Sequence, residues 1–185
     1  MSEAETDDSA LAARALAGQQ SAYGALMRRH REAIYRIVRG HVGDGHEALD
    51  ITQETFIAAF AALARYDGMR PFRVWIARIA LNKCRDWARR RTVRRFFAFA
   101  RPVEDAAEVA DPDSTPEEAL HSQRELARIN AAIASLPANL KDVLLLRTIE
   151  QMSQAEVAMV LGVTEKAVET RLYRARAKLT EILRD

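Results

Sequence analysis

The sequence predicts an all-α protein of two small helical domains joined by a flexible linker. Apolar residues recur at three-and-four spacing along most of the 185 residues, and strand-like alternation is scarce. Seven Gly and five Pro are too few for a turn-rich all-β chain. The helical period lapses once in the interior, over FFAFARPVEDAAEVADPDS, where the charge turns from basic to acidic.

Residues 1–8, MSEAETDD, read as a frayed acidic tail. A first domain is expected over 9–93, a linker over 94–114 and a second domain over 115–185. Asp8 or Ser9 can cap a short helix that ends near Gly18. From Ser21, the positions Tyr23, Leu26, Met27, Ile34, Ile37 and Val38 mark a long amphipathic helix, which Gly43 to Gly45 breaks. The next helix spans roughly Gly45 to Ala64, with Leu49, Phe56, Ala59, Phe60 and Leu63 expected to be core. RYDGMR, Arg65 to Arg70, is a loop, and Pro71 suits the first position of the helix FRVWIARIALNKCRDWARRR. Phe72, Trp75, Ile76 and Ile79 give that helix its buried stripe, and Trp87 and Cys84 read as core residues.

After the linker, Thr115, Pro116 and Glu118 form a cap, first-turn proline and capping-box acid for a helix reaching Leu136, and Pro137 opens another. Ser153 and Glu156 repeat the capping-box spacing, so a short helix begins at Gln154. Gly162 supplies a sharp turn and Thr164 caps a last helix from about Glu165 to Leu183. Ala158 must be small at that turn, and Val157, Leu161, Val163 and Val168 are spaced to be buried between the two helices. This is a helix-turn-helix with an unusually basic second helix. Lys166, Glu169, Thr170, Arg171, Arg174, Arg176 and Lys178 lie on surfaces the apolar frame leaves free, as in a helix that enters the major groove. A solvated basic helix would share the pattern.

Two other faces carry chemistry. Asp50, Gln53 and Glu54 are three and four apart, which fits a docking surface for a basic partner and equally the commoner solvated face. Arg78, Asn82, Arg85 and Arg89 follow at steps of four, three and four, and Arg90, Arg91, Arg94 and Arg95 extend the charge. Guanidinium groups with an amide, beside a loop carrying an exposed aromatic such as Tyr66, suit single-stranded nucleic acid.

The net charge of +2 hides segregation: residues 9–95 hold seventeen basic against seven acidic residues, and 96–122 one basic against seven acidic. The first domain therefore faces a polyanion, and the opposed linker suggests a compact or sequestered free state that covers its own basic faces and binds DNA weakly. One cysteine excludes an internal disulfide, the four histidines show no ligand spacing, and no metal or other cofactor is called for. No nucleophile–base pair or phosphate-binding glycine loop supports an enzyme. Without a signal peptide or a bilayer-length apolar run, a cytoplasmic protein is expected.

Taken in order, DGHEALDITQETFIAAFAAL, FRVWIARIALNKCRDWARRR and LPANLKDVLLLRTIEQMSQAEVAMVLGVTEKAVETRLYRARAKL closely resemble the two-domain bacterial sigma factors of the extracytoplasmic-function group. The resemblance implies two helical domains, sigma regions 2 and 4, and a protein that brings core RNA polymerase to promoters and promotes DNA opening. It implies that Asp50, Gln53 and Glu54 dock on the clamp helices of the β′ subunit, with the β subunit a further contact. It assigns Tyr66 with its loop and Asn82 to a flipped base of the minus-ten element, and Arg78, Arg85 and Arg89, Arg90 and Arg91 to the non-template strand. The helix Glu165 to Lys178 would read the minus-thirty-five duplex. An anti-sigma factor is the implied controlling partner, and neither membrane insertion nor a small-molecule substrate is implied. Glu169 stands where many members carry Lys or Arg, so a phosphate or guanine contact gives way to an acceptor for a cytosine amino group or is lost. A stand-alone helix-turn-helix regulator, binding an operator as a dimer, is the competing reading; it would have no use for both the acidic patch and the arginine face.

Overall fold

The computed structural model describes residues 7–97 and 116–184, excluding the side chains of 94–97 and 116–123. Among the described residues every regular element is helical. The acidic linker, Phe99 and Thr115, and the side chains of Arg94, Arg95, Phe96, Phe97 and Glu118, lie outside this description.

Four helices build the first half: α1 (Asp8–Leu16), α2 (Gln20–Val42), α3 (Gly45–Ala61) and α4 (Phe72–Phe97). Gly43, left-handed at φ 81°, ends α2, and the Asp44 carboxylate accepts from Glu47 N at 2.8 Å to start α3. A 3-10 turn, Leu63–Arg65, leads into the loop before α4. Leu26, Ile37, Val38, Leu63, Phe72 and Ile76 are fully buried at the centre of this bundle. Trp87 and Cys84 are buried as expected, and burial pushes the Cys84 thiol up to about 12, which leaves it protonated.

The register of α3 differs from expectation. Leu49 is exposed, whereas Thr52 and Thr55 are buried beside Ala48, Ile51, Phe56 and Ala59. The threonine hydroxyls donate to Ala48 O (2.7 Å) and Ile51 O (2.8 Å), so their polar atoms are satisfied within the helix. Two polar residues can therefore enter the core and turn Leu49 outward.

The second half comprises α5 (Pro116–Ser135), α6 (Ala138–Leu144), a π turn (Leu145–Ile149), α7 (Gln154–Leu161) and α8 (Glu165–Arg184). Both bonds of the Ser153–Glu156 capping box are made, at 2.8 and 3.2 Å. Gly162 has φ 67°, a left-handed conformation that disfavours a side chain, and the Thr164 hydroxyl accepts from Ala167 N at 3.2 Å. Val157, Val160 and Val168 are buried between α7 and α8, while Leu161 and Val163 are only half-buried.

The halves pack on one another, α2 against α5 and the π turn, and α4 against α7. Gly40 makes the close approach possible: a Cβ there would stand 2.5 Å from Leu145 Cδ2. Three buried carboxylates of the second half meet basic side chains of the first. Arg36 clasps Glu150 through Nε at 2.9 Å and Nη2 at 3.0 Å. Arg73 Nε donates to Glu156 at 2.6 Å. Asp142 accepts from Arg85 Nη2 at 2.7 Å and has His41 Nε2 at 3.2 Å, a pairing distance without hydrogen-bond alignment. Acids of the folded second half thus meet the basic first half alongside its own carboxylates.

Candidate nucleic-acid interface

On α3, the helical pitch places Asp50 and Gln53 together and exposed, with Glu54 half-buried beside them. Glu54 is 3.5 Å from Lys83 Nζ and 3.8 Å from Arg90 Nη2. A shallow open groove between α3 and α4 is lined by Glu47, Asp50, Glu54, Trp87, Arg90 and Val93. The exposed side chains of Leu49 and Ile57 lie on the same helix, giving an acidic and apolar surface that neither residue's spacing announced.

Along α4, Arg78, Asn82, Arg85 and Arg89 form one face, as their steps require. The face is partly engaged. Arg85 Nη1 donates to Asn82 Oδ1 at 3.0 Å while Nη2 holds Asp142. Arg89 pairs with Asp86, the Arg91 guanidinium lies 5.0 Å from the Trp87 ring centroid, and Arg78 Nη2 rests near Gly162 of the helix-turn-helix. Burial would push the Asp142 carboxyl up, but the close His41 imidazole and then the Arg85 guanidinium outweigh it and hold the carboxyl below its usual range. Glu156 is lowered likewise: against burial act the Ser153 N–H and the Arg73 guanidinium.

Tyr66 is not the exposed platform its loop position suggested. Its ring is half-buried, edge-on to Phe72 with centroids 5.2 Å apart and 5.3 Å from Trp75. Its hydroxyl donates to Arg70 O at 2.6 Å. The tip of the loop is instead Met69, 92% exposed.

On α8, Lys166, Thr170 and Arg174 share the solvent face opposite buried Val168 and Ala175, with Glu169 and Arg176 toward one flank and Arg171 and Lys178 toward the other. Lys166 and Glu169 form an ion pair at 2.8 Å, and Lys178 pairs with Glu181 at 3.1 Å. Tyr173, 76% exposed, sits mid-face and was passed over in the sequence. Its place seven residues after Lys166 and three after Thr170 is the signal that finds it. Among the described residues no group of His, Cys, Asp and Glu is gathered to hold a metal ion, and no helix is long and apolar enough to cross a membrane.

Residues 26–94 match the family described as Sigma-70 region 2, and 126–179 match Sigma-70, region 4. Similarity extends over nearly the whole chain to the RNA polymerase sigma factor CnrH of Cupriavidus metallidurans, 42% identical over 97% of this chain and 95% of that protein. The chain belongs to the sigma-70 family, in its extracytoplasmic-function group. Sigma factor NccH of Alcaligenes xylosoxydans xylosoxydans is also 42% identical, over 95% of this chain and 94% of its own length. The ECF sigma factor SigE of Mycolicibacterium smegmatis is 35% identical over 85% of this chain and 60% of that protein. A solved structure of CnrH in complex with the cytosolic domain of CnrY superposes with a TM-score of 0.71 at 37% identity, covering 95% of this chain and 96% of CnrH. RpoE of Bartonella quintana, at 18% identity and a TM-score of 0.72 over 88% of this chain and 96% of that one, shares the fold. The helix-turn-helix of this sigma factor thus belongs to region 4, and the α3 and α4 faces to region 2.

Proposed function

We propose that this sigma factor works by binding alone, in the cytoplasm, dividing promoter recognition between three surfaces. The reading rests on one observation: a single small bundle presents an acidic, apolar face on α3 and an arginine–asparagine face on α4. Asp50, Gln53 and Glu54 anchor the chain to the clamp helices of polymerase, where exposed Leu49 and Ile57 add apolar contact. Asn82 with Arg78, Arg85, Arg89, Arg90 and Arg91 follows the non-template strand, and the loop at Tyr66 meets an extruded minus-ten base. Region 4 docks near the β subunit and lays α8 in the minus-thirty-five major groove, Lys166, Glu169, Thr170 and Arg174 toward base edges, with Arg171, Arg176 and Lys178 toward phosphates. Strand opening needs no ATP chemistry in this scheme, because affinity for the opened strand shifts the equilibrium.

The packing of the halves limits the free chain. Arg85 is held by Asp142, so a phosphate must displace a carboxylate before Arg85 can follow the strand. Polymerase, by separating the regions, would release it. The related CnrH has been solved with the cytosolic domain of CnrY, and RpoE with the anti-sigma factor NepR. An anti-sigma factor that binds the closed arrangement would hold this chain in the same way.

The test is capture of the opened strand. With core polymerase and a promoter carrying 2-aminopurine in the minus-ten element, fluorescence should rise with the intact chain and fall roughly tenfold in amplitude or affinity for Asn82→Ala with Arg85→Ala, as for the loss of one to two charged contacts. An undiminished signal in the double variant would remove α4 from the scheme.

A further inference from the structure

The loop between the 3-10 turn and α4 is held largely by itself. Arg70 N donates to Asp67 O at 3.0 Å, Met69 N to Asp67 Oδ1 at 3.1 Å, and the Tyr66 hydroxyl to Arg70 O at 2.6 Å. Its remaining backbone hold comes from outside: the Ser9 hydroxyl of α1 donates to Gly68 O at 2.9 Å, across 59 residues of sequence. The region 2 match begins at residue 26, so α1 lies before it.

Helix α1 is a firm support for that contact. Leu11, Ala12 and Ala15 are buried, and Asp8 reaches Arg29 at 2.5 Å and His30 Nε2 at 2.8 Å. The His30 ring lies 5.1 Å from the Phe72 ring, and Phe72 in turn packs edge-on to Tyr66. Phe72 thus supports the base of the loop through Tyr66 and lies beside His30, the partner of Asp8 on α1.

Of the loop's exposed side chains, Met69 projects furthest into solvent. Met69 is an unbranched apolar group almost wholly in solvent, of the kind that can lie against an unstacked base.

We propose that α1 is part of the minus-ten recognition apparatus: Ser9 is a positioning residue that fixes the loop so that Met69 packs on the extruded base. The inference rests on the reading above that this loop meets the minus-ten strand. Loss of Ser9 would let the tip sample several orientations, blurring discrimination between bases without removing the contact itself.

The experiment uses core polymerase with the full-length chain and a promoter library randomised through the minus-ten element, sequencing the transcripts. Ser9→Ala should flatten the base preference at one position by about two- to tenfold, the range of one hydrogen bond. Ser9→Thr, which keeps the hydroxyl, should restore it. Melting temperature should fall by no more than a few degrees, about what one hydrogen bond contributes, and binding of minus-thirty-five duplex should not move. Met69→Ala should flatten the same position. If Met69→Ala does so and Ser9→Ala does not, the loop reading stands and the role of α1 is overturned. If neither alters any base preference, the loop reading fails and takes the inference with it. A Ser9→Ala variant that weakens all promoters equally and melts earlier would show a merely structural contact, again overturning the proposal.

Discussion

Asp142→Asn should loosen the packing of region 4 on region 2 while leaving each region folded. Asp142 is 3% exposed and its carboxylate meets Arg85 Nη2 at 2.7 Å and His41 Nε2 at 3.2 Å. Breaking a fully buried ion pair costs about 3–5 kcal/mol, because the remaining charge is stranded. Here the Arg85 side chain is 46% exposed and can be rehydrated, which discounts the loss to about 1–2 kcal/mol. That shifts the closed-to-open ratio by roughly 5- to 30-fold. Fluorescence energy transfer between dyes on exposed positions of α3 and α8 reads the ratio directly. The variant should show a larger open fraction at low salt, and the intact chain should approach it as salt is raised, since the Arg85 side of the pair is screened. The Asp142 carboxyl lies below its ordinary value in the closed chain, so its stabilising contribution is full above about pH 4 and is lost as pH falls through the lowered value. The two proteins should therefore converge in acid. Equal transfer efficiencies at neutral pH and low salt, with circular dichroism unchanged, would refute the argument that this carboxylate latches the halves.

Gly40→Ala should also open the chain, because its Cβ would stand 2.5 Å from Leu145 Cδ2; overpacking costs about 1–3 kcal/mol, and adding Leu145→Ala should relieve it in a double-mutant cycle of melting temperatures. Ser153→Ala removes the α7 cap that accepts from Glu156 N and should destabilise region 4 by about 1 kcal/mol, seen as earlier exchange of α7 amides. Glu169→Ala should relax discrimination at one minus-thirty-five base pair by about 1–3 kcal/mol if its carboxylate accepts from a cytosine, and should free Lys166 from its 2.8 Å pair; binding to duplexes varied one pair at a time measures this.

The helix-turn-helix was legible in the sequence because its determinants are local. Ser153, Glu156, Gly162 and Thr164 act within a few residues of themselves, and each makes the contact its spacing predicts. The grouping of Asp50 with Gln53 and Glu54, and of the α4 arginines, was legible for the same reason. Leu49 was misplaced because two threonines could satisfy their hydroxyls on the preceding turn, which periodicity of apolar letters does not register. The burial of Tyr66 is not legible locally, because nothing near it in sequence shows that Phe72 and Trp75 receive its ring. The roles of Asp142, Glu150 and Glu156 between the halves were illegible: each is defined by an arginine more than fifty residues away in sequence. Charge segregation along the chain pointed to the linker acids, which lie outside the described residues; among those described, carboxylates of the second half meet the basic first half.

Run-off transcription from a library of promoter fragments, with core polymerase and this chain or its Asp50→Ala, Gln53→Ala, Glu54→Ala variant, reads out whether the α3 face docks on polymerase. Specific transcripts should require the intact chain and fade with the triple variant, while that variant still folds and still binds the minus-thirty-five duplex when region 4 is freed. Specific transcripts of equal strength from the triple variant would contradict the assignment of the α3 face to polymerase. No specific transcripts at all, together with tight duplex binding by the chain alone, would contradict the division of labour between the two regions.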